Sequence, residues 1–271
     1  PTPRAAPVAR SPLRMARSTL LALSLALALA LVLTVQAAAP PAHAAPGHHG
    51  QYGRIRLSGA LSGISYPLPA GFVPASVCTG PNGTMLVSSS SDGSVTMLDL
   101  FKHSHTMVVP GAPGRTAMGI DYFEGQVYVA GGSFGKAYVY STADPAFQVE
   151  LTLAPPERIS RITDVVVGQG AVFFSDSLRP VLYRVSLPVP ASGRATVTEI
   201  RLVGDDFKFM LPSDSQYGNT LDFYAGRVLI GQTDDGGVSR VDTNTGTVKE
   251  VLIGAGARAG VEAIHVHNNM L

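Results

Sequence analysis

The stretch ITDVVVGQGAVFFSDSLRPVLYRV, residues 162–185, decides the fold. Val165-Val166-Val167 and Val172-Phe173-Phe174 are β-branched or aromatic runs on either side of a short tip carrying Gly168, Gln169 and Gly170, and a third run starts at Val181. Runs of this kind bounded by turn formers read as consecutive antiparallel strands. A single meander would say little, so the question is whether the unit recurs.

It recurs along the chain. PASVCTGPNGTMLVSSS from Pro74, AMGIDYFEGQVYVAGG from Ala117, GNTLDFYAGRVLIGQT from Gly218 and GVEAIHVHNNML from Gly260 fall into one column with the Ile162 segment. The first four units each continue into a third strand (SVTMLDL, KAYVYST, VLYRVSL, VSRVDTN) and a more polar fourth (TMVVP, FQVELTL, TVTEIRL, TVKEVLI). The unit starts lie about 42 to 56 residues apart, and no segment between them has helical periodicity. Four antiparallel strands repeated at that interval predict an all-β chain folded as a β-propeller, whereas a sandwich has no reason to repeat. The last residues, Asn268 to Leu271, fall at the tip of a fifth unit's first hairpin. The expectation is therefore a six-bladed ring of which this sequence holds about four and a half blades.

Composition agrees with a globular β protein. Of 271 residues 45% are hydrophobic and 14% charged, with 29 Gly and 20 Pro. Arg4, Arg10, Arg14 and Arg17 precede an apolar run from Leu20 to Val35, which is followed by the small-residue triplet Ala42-His43-Ala44. This is the layout of an export signal over residues 1–44, with cleavage freeing Ala45, and it predicts a secreted or extracytoplasmic protein. An uncleaved membrane anchor and a transit peptide to an organelle lumen are the alternatives, although a span needs about 20 apolar residues. Residues 45–69 form a lead-in in which RIRLSG, from Arg54, could supply an outer strand, and residues 70–271 form the propeller domain. Without the first 44 residues 16 basic side chains face 19 acidic ones, a balance that does not suit nucleic-acid binding. The single Cys78 cannot form an internal disulfide, and Asn82-Gly83-Thr84 fits both a glycosylation sequon and a hairpin turn.

The Ile162 segment, together with YGNTLDFYAGRVLIGQTDDGGVSRVDTNTG and GVEAIHVHNNML, resembles blades of the senescence marker protein/gluconolactonase-like superfamily of six-bladed propellers, over roughly residues 70 to 271. The resemblance implies a divalent metal, usually calcium, held at the top of a central channel by acidic and Asn side chains from the starts of the innermost strands. It also implies hydrolysis of lactones or related esters. In the matching positions this chain carries Ala75, Met118, Thr163, Asn219 and Glu262. Asn219 and Glu262 are the ligands the resemblance implies, with Asp164 or Asp176 as acid/base candidate. The Asp that the family places late in the second strand of the Asn219 unit appears as Gln232, with Asp234 two residues on. A metal there would polarise a carbonyl and activate water beside a carboxylate base.

Other residues carry weaker chemistry. His265 and His267 would share a strand face, as two zinc ligands do, but no third ligand stands out. His103 and His105 are expected in an exposed loop. Asp121, Asp176 and Asp222 are expected at strand ends or beside tips, fixing turns through backbone N–H bonds. Ser88 to Ser91 lack the setting of a nucleophilic serine, TDDGG from Thr233 lacks calcium-loop spacing, and GGSFG from Gly131 is expected to be a flexible turn. Two readings of function stand side by side. One is metal-assisted hydrolysis of a lactone or ester; the other is a non-catalytic propeller that binds or scaffolds an extracytoplasmic partner through its channel mouth or loops.

Overall fold

The computed structural model describes residues 66–204, 219–232, 237–251 and 263–266, without the side chains of Asn219 and Gln232. Residues 1–44, for which an export signal is expected, most of the lead-in, Glu262, Asp234 and His267 lie outside the described residues.

Seventeen strands and one turn of 3-10 helix account for the regular structure among those residues. The first sheet holds β1 (Pro74–Thr79), β2 (Met85–Ser89), β3 (Val95–Asp99) and β4 (Ser104–Val109) in that order. The second holds β5 (Ile120–Phe123), β6 (Gln126–Ala130), β8 (Lys136–Ser141) and β9 (Gln148–Thr152), with the two-residue β7 (Gly132–Ser133) between β6 and β8 in sequence. The third holds β10 (Arg161–Gly168), β11 (Ala171–Asp176), β12 (Val181–Ser186) and β13 (Val197–Arg201), with β7 added at its edge beside β10. The fourth holds β14 (Asn219–Tyr224), β15 (Arg227–Gln232), β16 (Val238–Val241) and β17 (Val248–Val251). Each is an antiparallel meander whose spatial order is its chain order, so each sequence repeat is one blade. This is the all-β propeller architecture that the repeat predicts.

The strand period of two explains why inner strands are apolar on both faces. In β11, Val172 and Phe174 join Tyr128, Val139 and Leu151 of the second blade, while Phe173 joins Leu221, Val228 and Ile230 of the fourth. The same split operates in β12, where Tyr183 faces one way and Leu182 the other. A third seam joins Leu86 and Val95 of the first blade to Val127, Val129 and Tyr138 of the second. These three seams are largely apolar, and burying each Phe or Leu side chain contributes about 1.5–3 kcal/mol. Gly168 marks one close approach, because a Cβ there would collide with the Phe223 ring of the next blade.

Two local expectations are corrected. GGSFG is not a free turn: Gly132 and Ser133 pair with Ile162 and Arg161, stitching the second blade to the third. His105 lies in β4 opposite Leu98, and only His103 remains in the turn, where its φ of 52° is left-handed. A second stitch is the parallel bridge from Val203 to Thr247, between the third and fourth blades. Among the described residues no helix is long and apolar enough to cross a membrane.

Candidate functional site

The innermost strands β1, β5, β10 and β14 bring chemistry-bearing side chains toward one another, and residues 263–266 run beside β14. Asp121, in β5, is half-buried, and its Oδ1 accepts the N–H of Tyr122 at 2.7 Å while Oδ2 accepts the N–H of Val167, in β10, at 2.8 Å. Asp164, in β10, repeats the arrangement: Oδ1 accepts from Val165 at 2.9 Å and Oδ2 from Leu221, in β14, at 2.7 Å. Asp222, in β14, repeats it again with Phe223 at 2.7 Å and Val266 at 2.6 Å. Each carboxylate thus fastens its own strand with one oxygen and the next blade's strand with the other. Hydroxyls fill the same role more weakly, Ser76 Oγ accepting from Ile120 at 3.4 Å and Thr220 Oγ1 from Ile264 at 3.4 Å.

Packing confirms how tight the inner edge is. Gly119 lies against Asp164, and a Cβ at that glycine would run into the carboxylate and the strand that carries it. Burial pushes Asp164 up to about 7; hydrogen bonds from Leu221 and Val165 oppose the rise, and the Asp121 charge adds to it. Burial likewise lifts Asp121 to about 6, against the bonds from Val167 and Tyr122 and with the Asp222 charge adding. Cys78, in β1, has its thiol pushed well up by burial and then by Asp121 and Asp164. His265 approaches Asp222, Nδ1 to Oδ2, at 3.5 Å. The inner strands therefore contribute Cys78, Asp121, Asp164, Asp222 and His265 to one neighbourhood.

Asp176 stands elsewhere in function. It has no exposure, its Oδ2 accepts from Ser160 at 2.8 Å and Tyr183 at 3.3 Å, and its Oδ1 accepts from Arg161 and Leu178 at 3.0 Å each. This carboxylate anchors the end of β11 and the turn after it, the turn-fixing role expected of it, and is closed to a ligand. Asp121 and Asp222 differ from that expectation: they lie within strands and fasten blades instead of turns. Their positions carried a signal, because each precedes its left-handed tip residue, Glu124 or Ala225, by three. His265 holds the corresponding place in the fifth unit.

The positions implied for metal ligands are poor in donors. Ala75 and Met118 offer no oxygen, and Thr163 Oγ1 lies 3.3 Å from Ser175 Oγ. Asn219 opens β14 opposite Gln232, while its side chain and Glu262 fall outside the described residues. Among the described residues no group of three His, Cys, Asp or Glu is placed to hold an ion. Calcium takes about 6 to 8 oxygens, and of the implied positions Thr163 alone offers a side-chain oxygen among the described residues.

No protein family and no curated protein matches the sequence. Solved structures do match in shape. Virginiamycin B lyase from Staphylococcus aureus aligns with a TM-score of 0.50 at 12% identity, over 68% of this chain and 57% of that one. A protein of unknown function from Bacteroides thetaiotaomicron aligns with a TM-score of 0.51 at 18% identity, over 65% of this chain and 42% of that one. The chain is a β-propeller. At such identities the likeness concerns the fold, and the propeller described here spans about half the length of those two proteins.

Proposed function

We propose that this chain is an exported propeller that works as a binding module, taking a partner or small molecule at its loops or channel mouth without metal chemistry. One observation carries the reading: Asp121, Asp164 and Asp222 each have both carboxylate oxygens engaged by main-chain N–H groups of two blades. An oxygen held that way is a poor ligand for a hard cation, and the remaining strand starts offer little in its place. Export is supported by the arginine-led apolar segment ahead of Ala45.

A second reading has its own support. Asp164 keeps its proton to about pH 7 and Asp121 to about pH 6, the range that suits an acid/base pair. In the gluconolactonase-like reading Asn219 and Glu262 would hold calcium or another divalent ion, and Asp164 would move the proton during lactone or ester hydrolysis. Asp176 leaves that scheme because its oxygens are enclosed.

Calorimetric titration with calcium, followed by a lactone-hydrolysis assay with and without Asn219→Ala, separates the two. The binding-module reading expects no heat of calcium binding and no metal-dependent turnover. Saturable calcium binding with turnover that Asn219→Ala lowers by about a hundredfold or more would overturn it.

A further inference from the structure

The carboxylate fasteners have a second property, which follows from their being stacked on adjacent blades. Asp121 belongs to the second blade, Asp164 to the third and Asp222 to the fourth, and each reaches the main chain of the blade that follows. Among the described residues no lysine or arginine forms an ion pair with any of the three, and the His265 imidazole lies beside Asp222. The other titratable groups facing them among the described residues are the Cys78 thiol, from β1, and the Tyr128 hydroxyl of β6, whose residue pairs with Asp121. Gly119 leaves Asp164 no room to turn away, and the bonds from Leu221 and Val165 hold it in place.

We propose that these inner-strand carboxylates form a proton-dependent clamp on the ring, in which protonated groups join neighbouring blades without charge and ionised groups set like charges on adjacent blades against each other. A neutral carboxyl still accepts an N–H bond at its carbonyl oxygen, whereas the Thr220 hydroxyl beside Asp164 donates to the ionised form and opposes the rise. Ionisation strengthens each N–H bond, yet it places a charge in a partly buried site where, among the described residues, no lysine or arginine balances it. Repulsion between carboxylates on successive blades adds to that cost.

The pH sign is set by the direction of the shifts. Asp121 and Asp164 sit above the ordinary value of 3.8, so the folded chain keeps protons that the unfolded chain releases. Their contribution to stability is complete below about pH 4 and is lost as pH rises toward about 7. Asp92, Asp99 and Asp242 are shifted down and act the opposite way, but only at the acid end. The clamp is thus tightest in mildly acidic surroundings, and it operates whichever reading of function holds.

The test is thermal unfolding of the full chain from pH 5 to 8, with unfolding heats at pH 5.5 in two buffers of different ionisation enthalpy to count protons. The expected result is a midpoint that falls by roughly 5 °C across the range, with release of about one to two protons on unfolding at pH 5.5. Asp164→Asn and Asp121→Asn should each flatten the slope, even where they lower the midpoint itself. A midpoint that rises from pH 5 to 8, or net proton uptake on unfolding at pH 5.5, would overturn the clamp. So would an unchanged slope in both variants.

Discussion

The seams between blades and the inner edge of the same blades solve one problem in opposite ways. At the seams, alternate residues of β11 and β12 enter two apolar layers, and shape alone matches one blade to the next. At the inner edge, strands from successive blades come close enough to present unpaired N–H groups, and side-chain oxygens from the blade before take them up. The difference teaches that apolar burial supplies most of the stability, while the polar edge fixes how far one blade slides along the next. An apolar contact tolerates small shifts; a carboxylate with two N–H partners does not.

Substitutions can separate the two contributions. Phe173→Ala removes a ring that stacks 6.2 Å from Phe223 across the seam of the third and fourth blades. It should cost about 3–5 kcal/mol in denaturant unfolding, the largest effect expected here. Gly119→Ala should come next, at about 1–3 kcal/mol, because the new methyl meets Asp164 and main chain that cannot retreat. Asp121→Val copies the residue that the third blade carries at this place, Val166, and it leaves the Val167 N–H without its acceptor. Its cost should be about 1–2 kcal/mol at pH 5 and less at pH 8, where the lost carboxylate would have been charged. Arg158→Ala breaks a half-exposed pair with Glu199, which Arg179 also holds, and should change stability by no more than about 0.5 kcal/mol. A loss at Arg158 as large as that at Phe173 would contradict the ranking.

Much of this architecture was legible in the residues. The runs around Gly125, Gly170 and Gly226 give their strands directly, since β-branched and aromatic residues alternate across both faces and the glycines take the left-handed tip positions. The fourth strands were marked by polarity, as in Gln148–Thr152, whose outward residues face water. The fastening role of Asp121 and Asp222 was legible only as a shared place three residues before the tip, because the donor that each meets lies 46 or 44 residues further on. Gly132–Ser133 escaped for a related reason: two residues rich in glycine carry no strand propensity, and their pairing with Arg161 and Ile162 comes wholly from tertiary contact. The metal positions were drawn by aligning strand starts, and β1 and β10 share a register shift at that point, so Ala75 and Thr163 stand level and both are poor in donors.

The fasteners also have a direction. In every case the acceptor belongs to the earlier blade and the donor to the later one, from Ser76 and Ile120 through Asp222 and Val266. A chain emerging from its amino end can therefore complete one blade with its oxygens already in place and capture the next as soon as its first strand appears. Growth of the ring becomes a series of local dockings instead of one late collapse.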